Sequence, residues 1–412
     1  MNLNEKQFST AERPSRPAVD EARSSGRRTW WVLLIAALGV LLAGCSGEYF
    51  ATTSWPGVTI DDGLVYIAFS QRIYAVDPSQ QRAVGEYPAS PGKTTYYAAP
   101  AVTEELLIAG GYDNVLYGID RATLSVRWNF HLAGDRYIAS PVVFDGTIFA
   151  ATAGNELYAL DLASLNELGA VEKPDEFRRS AERAAVVWTF EAGHGLWAAP
   201  LVTEDTVYIT SLDHHVYALE TATGRELWAT KLPGAMAGTP ILSTDKRTLF
   251  VGNFDYDLYA LDAISGEIRW KVEAENWVWG RPVLVDDRLF FGDLAGYLYA
   301  VNPNTGEVLW RAKVADAIRG APVYDEERDL LYVTGRKVAS PGNITTRGIV
   351  LALDANDYRT VWEQLTDEAI YTSPALKDGL LLVAPAQGET LLLVYSAETG
   401  VLQWRFAPAT KK

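Results

Sequence analysis

The chain has 412 residues, 48% hydrophobic and 11% aromatic, enough apolar material for a large core. Its formal charge is −16; residues 1–44 hold six basic and four acidic side chains, so the rest carries 30 basic against 48 acidic and sits near −18. A body that acidic repels nucleic acid and anionic lipid headgroups, and a lone cysteine, Cys45, excludes an internal disulfide framework or a cysteine-built zinc site.

Residues 1–26 are polar, rich in Ser, Arg, Glu and Pro and without periodicity, which predicts disorder. Arg27 and Arg28 then precede an apolar run of fourteen residues, Trp30 to Ala43. A spanning helix needs roughly 20 residues, so the run fits the core of a secretory signal. It ends Leu42-Ala43-Gly44-Cys45, which resembles the lipobox of bacterial lipoproteins at all four positions. The resemblance implies cleavage before Cys45, lipidation there, and a chain held to a membrane by lipid alone; an uncleaved anchor is the alternative. Arg27-Arg28 followed by Thr29-Trp30-Trp31 also resembles a twin-arginine export signal, while a plain basic n-region would serve general secretion. On each of these readings the body faces the extracytoplasmic side. The expected division is 1–44 signal peptide, 45–55 tether and 56–412 a single folded body.

From Pro56 onward one pattern recurs eight times, with a period near forty residues. Its leading prolines are Pro56, Pro100, Pro141, Pro200, Pro240, Pro282, Pro322 and Pro374, and its closing aromatics Tyr87, Trp128, Trp188, Trp228, Trp270, Trp310, Trp362 and Trp404. The stretch from Pro240 to Trp270 shows it most plainly: Ile241-Leu242-Ser243, Leu249-Phe250-Val251-Gly252, Leu258-Tyr259-Ala260-Leu261-Asp262 and Glu267-Ile268-Arg269-Trp270. These are short runs rich in β-branched and aromatic residues, punctuated by Gly, Asp and Asn, as antiparallel hairpins require. Units of four strands that cannot bury both faces alone pack face to face around a ring. The reading is all-β: a single eight-bladed β-propeller of four-stranded antiparallel blades, preceded by a lipoprotein signal peptide. The closing aromatics are expected between blades, and small residues before each proline suit a crowded axis. No amphipathic helix is expected after residue 55. Residues 48–55 either complete the last blade or the ring closes by packing alone.

Two insertions break the period. Residues 164–184 in blade 3 include the charged run Glu172 to Arg179; residues 336–347 in blade 7 extend the turn between second and third strands and bring Arg336, Lys337 and Arg347.

The run L-Y-A-L-D-x-x-x-G-E-x-x-W stands at Leu258 to Trp270 and at Leu298 to Trp310, with Glu220 replacing the aspartate in Val216 to Trp228. It resembles the repeat of pyrroloquinoline-quinone (PQQ) propellers over residues 56–404. That family includes quinoprotein dehydrogenases and a non-catalytic lipoprotein branch, represented by the outer-membrane assembly lipoprotein BamB. The dehydrogenases hold the quinone against a disulfide of adjacent cysteines and bind calcium through acidic and amide side chains. With one cysteine, at the lipidation position, that disulfide cannot form, so no PQQ or other cofactor is expected. The resemblance implies the non-enzymatic branch.

Other chemistry is hard to find in the sequence. Asp213-His214-His215 looks like a metal fragment, but it falls in a turn and no further ligands are nominated, so no metal site is assigned. Nucleophile elbow, phosphate-cradling loop and metalloprotease helix are all missing, and no catalytic residue is assigned. Loops alternate faces along a blade, so those leading into each first strand share a face with the turns between second and third strands. Three residues before each proline stand Thr53, Tyr97, Ile138, Trp197, Ala237, Trp279, Arg319 and Tyr371; five of these are aromatic or arginine, types enriched at protein-binding hot spots. Tyr96, Tyr137, Trp277 and Arg281 lie nearby in sequence. The expected partner-binding face therefore comprises Tyr97, Tyr137, Trp197, Trp277, Trp279, Arg281, Arg319, Arg336, Lys337, Arg347 and Tyr371, unless these side chains merely plug the axial channel. The expected function is a lipid-anchored, monomeric binding scaffold in the cell envelope, docking another envelope protein or an extended peptide. A small-molecule or sugar-binding propeller and a PQQ-dependent dehydrogenase are the alternatives.

Overall fold

The computed structural model describes residues 57–90, 92, 94–338, 346–386 and 388–408; the signal region, Cys45, Thr53 and Pro56 lie outside them. Eight antiparallel sheets of four consecutive strands follow one another. They are β1–β4 (57–87), β5–β8 (101–130), β9–β12 (142–191), β13–β16 (201–231), β17–β20 (241–273), β21–β24 (283–313), β25–β28 (323–366) and β29–β32 (375–406). Every blade runs from a short first strand at the axis to a fourth strand at the rim.

The core is distributed rather than central. Eight apolar clusters are found, and each is shared between one blade and the next. The last of these joins Leu382, Leu392, Val394 and Phe406 of blade 8 to Val65, Ile67 and Val76 of blade 1, so the ring is closed. No strand is shared across that seam among the described residues; residues 48–55, the candidates for completing the last blade, lie outside them.

Tryptophan position and turn glycine explain each other. In six of the blades a small residue of the third strand pairs with the fourth-strand tryptophan, as in Gly118↔Trp128, Ala218↔Trp228 and Ala260↔Trp270, and a bulge follows at once. The indole then reaches the neighbouring blade: Trp228 Nε1 donates to the Ala263 carbonyl at 3.1 Å, Trp188 Nε1 to Thr221 at 2.9 Å and Trp362 Nε1 to Ala397 at 2.9 Å. These carbonyls belong to the hairpin turn whose glycine has positive φ, +73° at Gly266. A Cβ there would lie 2.6 Å from the Trp228 ring, so the residue is glycine for space as well as for conformation. Burying an indole this way removes on the order of 200 Å² from water, up to about 5 kcal/mol on area grounds.

Blade 1 departs from the expectation. Its third-strand Ala75 pairs with Gly85, so Gly85 and not Tyr87 occupies the tryptophan position. The space is filled from the other side: a Cβ on Gly85 would meet Leu124 Cδ1 at 2.3 Å, and Leu124 stands where other blades place the turn glycine. Tyr87, two residues further along, still packs between blades 1 and 2, beside Tyr96 and Tyr117.

Two helices also correct the sequence reading. The blade-3 insertion forms α1 (Leu162–Asn166) and α2 (Glu176–Ala184), whose N-cap residues Asp161 and Asp175 accept from Ser164 N and Arg178 N. Helix α2 escaped detection because its buried face is charged. Glu182 is 0% exposed, accepting from Arg178 Nε at 3.0 Å, meeting His131 Nδ1 at 2.9 Å and accepting from His131 N at 3.2 Å. Arg178 also donates to the carbonyls of Leu168 and Asn129. The insertion covers the outer edge of β8 (Val126–Phe130), which would otherwise offer an unpaired strand.

Candidate functional site

The loops leading into each first strand, here called axial loops, bond to the turns between second and third strands of both flanking blades. Met236 N donates to Ser211 O and Phe254 N to Ala235 O; Ile318 N donates to Asp293 O. Carboxylates in these turns pin the loops. Asp213 accepts from Gly193 N and Tyr217 OH, both at 2.6 Å, and Asp293 from Glu275 N and Tyr299 OH, both at 3.0 Å. Burial, aided by the neighbouring carboxylate, raises both phenols above their ordinary value. Much of the chain's acidity on this face is therefore structural.

The axial loops converge on a cavity of about 330 Å³ at the mouth of the axis. Tyr97, Trp197, Trp279, Arg281, Arg319 and Tyr371 all line it, together with small residues such as Ala199, Gly238 and Gly320. The small residues are required: a Cβ on Gly238 would come within 2.4 Å of the Trp279 carbonyl, and one on Gly320 within 2.5 Å of the Thr372 carbonyl. The Arg319 guanidinium lies 4.0 Å from the Trp279 ring centre and 5.4 Å from that of Tyr371. Phe254 continues the strip, 4.9 Å from Trp279 and stacked on Trp277 at 4.7 Å. Trp277 and Trp197 are each 38% exposed. On the opposite rim Tyr97 meets Tyr112 at 5.0 Å, and Arg136 covers Tyr112 at 4.6 Å. Phe254, Tyr112 and Arg136 come from axial loops and second turns and were missed, although the alternation of faces puts those turns here.

Other expected positions fall elsewhere. Tyr137 does not belong to this face: it is 1% exposed, packed in the cluster between blades 2 and 3, with its side chain over Gly110. Among the described residues the blade-7 insertion extends the two strands that flank its turn. β26 (Leu330–Val338) and β27 (Thr346–Asp354) run nine residues each, pairing Arg336 with Gly348 and Lys337 with Arg347. Lys337 Nζ is paired with Glu363 at 2.9 Å, Arg336 is half-buried near Arg319, and Arg347 is exposed. The seven other chain positions expected on the face are the six lining the axial mouth and Trp277 beside it.

The donor set does not fit a calcium-bound quinone. Among the described residues the lining of the axial cavity contains no acidic and no Asn or Gln side chain, and it presents two arginines instead. Among the described residues no group of three or more His, Cys, Asp or Glu converges on a metal-sized site. His215 Nδ1 instead meets Asp213 within its own turn at 3.2 Å. No helix of the described residues is long and apolar enough to cross a membrane.

The sequence matches the family profile described as outer membrane protein assembly factor BamB over residues 18–169, 178–276, 255–340 and 295–412. No curated protein matches the chain. Among solved structures, BamB from Moraxella catarrhalis superposes with a TM-score of 0.63 at 17% identity, covering 85% of this chain and 98% of its own. The computationally designed Ika8 protein gives 0.65 at 13% identity with the same coverages, 85% and 98%. A europium-containing methanol dehydrogenase gives 0.58 at 13% identity over 75% of this chain and 78% of its own. At such identities these likenesses establish a shared fold only, whereas the profile spans nearly the whole sequence. The chain belongs to the family of the outer membrane protein assembly factor BamB.

Proposed function

We propose that the protein is a non-enzymatic docking scaffold, held by a lipid on Cys45 at the extracytoplasmic side of a membrane, that binds another envelope protein at the axial mouth. The observation that carries this reading is Arg319, held between the faces of Trp279 and Tyr371. A guanidinium so flanked is fixed before a partner arrives, so little side-chain entropy is lost on docking. Arg281 and Arg319 line the axial mouth and Arg336 lies near Arg319, so positive charge gathers there on a body near −18. An acidic or extended segment of the partner is the chemistry that such a face attracts. Family membership supports the same reading, because the profile is named for an assembly factor.

The test is crosslinking and pull-down from native membranes, comparing wild type with Trp279→Ala combined with Arg319→Ala. Both side chains are partly exposed on loops, so the double variant should fold and lose its partner. Full retention of every partner by a folded double variant would refute the proposal.

A further inference from the structure

A second cavity, about 550 Å³, lies at the outer edge of blade 2 and owes nothing to the axial mouth. Its walls come from the loop after β4 (Arg82–Tyr87), from blade 2 and from residues 170–172 of the blade-3 insertion. The polar groups facing it are held in place from behind. Tyr117 OH donates to Asp113 at 2.6 Å, Asn129 is clamped to both backbone groups of Val171, and His131 is fixed through Nδ1 by Glu182. The hydrogen bond between Glu182 and His131 Nδ1 thereby fixes the orientation of the imidazole ring. Thr94 is the telling residue. It lines the cavity, is only 7% exposed, and its hydroxyl has no hydrogen-bond partner among the described residues. Such a group ordinarily carries an uncompensated desolvation cost unless something completes it.

We propose that this cavity binds a neutral saccharide of one or two rings. Its volume suits that size. Asp113 and Glu172 among its lining residues would repel an anion, and no Lys or Arg of the described residues lines it. Carboxylate, imidazole and hydroxyl groups match a ligand rich in hydroxyls, which both donate and accept, while Pro88, Val115 and Val126 offer an apolar wall to a ring face. Tyr87, Tyr96 and Tyr117 pack on one another at 6.1–6.5 Å, leaving no gap between rings in which an ammonium could be boxed. The site also accounts for the buried Arg178–Glu182–His131 cluster: it holds the insertion, and hence one wall, in register.

The test is calorimetric titration of the full chain with maltose, with N,N′-diacetylchitobiose and with spermidine. The disaccharides differ in their acetamido groups and so separate a plain glucan from an amino-sugar glycan as the source. Thr94→Val removes the unpartnered hydroxyl at constant shape, so the free protein should keep or raise its Tm while affinity for the binding sugar falls at least tenfold. Asp113→Asn should weaken the same sugar comparably, and Trp279→Ala should leave it unchanged. Absence of binding by either sugar at millimolar concentration overturns the proposal. So does binding of spermidine alone, sugar binding that survives both Thr94→Val and Asp113→Asn, or sugar binding that depends on Trp279.

Discussion

At the scale of single residues, Gly266 separates two costs that usually arrive together. Gly63 and Gly266 have nearly equal φ, +77° and +73°, but a Cβ on Gly63 would meet nothing within 4 Å, whereas on Gly266 it would strike the Trp228 ring. Gly63→Ala should lower stability by about 1 kcal/mol, the conformational term alone. Gly266→Ala should lose about 1–3 kcal/mol more, by the overpacking it forces against the indole; urea denaturation of the pair measures the difference. Charged turns give the fold its acid response. Hydrogen bonds from Arg127 and Arg269 hold the Asp120 and Asp262 carboxyls down to about 2. Both lie below the ~3.9 of an unfolded aspartate. Their contribution is therefore complete above about pH 4 and is lost as the pH falls toward 2. Asp262→Asn should flatten the dependence of the urea midpoint on pH within that window and leave the pH 6–8 region unchanged in slope.

At the scale of elements, α2 shows how a helix with a polar interior stays attached. Removing one partner of a buried ion pair leaves the other uncompensated, at a cost of about 3–5 kcal/mol. Glu182→Ala should therefore release the insertion, seen as protease cleavage within 164–184 at concentrations that spare the wild type. Replacing both partners, Arg178→Met with Glu182→Leu, should restore much of the protection, because no stranded charge remains. The same helix marks a limit of sequence reading. Glu176–Ala184 shows no apolar face in the sequence, since its inward residues are Arg178 and Glu182. Its capping aspartate, Asp175, was the readable signal.

At the scale of the whole molecule, the seam between blades 8 and 1 is the place to look for weakness. In six blades the second strand carries an aromatic opposite the first strand: Tyr66, Phe149, Tyr208, Phe250, Phe290 and Tyr332. Blade 8 has Leu382 there. A cavity of about 430 Å³ lies against Leu382, Ile60, Leu64 and Leu380. Leu382→Phe should fill part of it and raise stability by about 1 kcal/mol, within the usual range for cavity filling. Thermal denaturation checks this. Hydrogen exchange should show β1 (Gly57–Asp61) and β29 (Ala375–Lys377) opening before their counterparts at other junctions, since among the described residues no shared strand or interblade connection holds this seam.

Eight blades of four strands, the inter-blade tryptophans and the crowded axis were legible from residue order, because each repeat must solve the same local problem of burying one sheet on the next. Turns such as Ser265-Gly266 and the strands around Tyr259 are specified by neighbours in sequence. What needed the tertiary structure is whatever depends on two repeats meeting. The exchange of Gly85 for a tryptophan is intelligible only once Leu124 of the next blade is seen filling its place. Tyr137 and Tyr97 occupy similar loops, yet the first is buried between blades and the second lines the axial mouth. Likewise Thr94, Asp113, His131 and Glu172 lie far apart along the chain, and only the packing of the insertion across blade 2 brings them around one cavity. Local chemistry is written in the order of residues, whereas the direction in which a loop side chain finally points is decided by the space its neighbours leave.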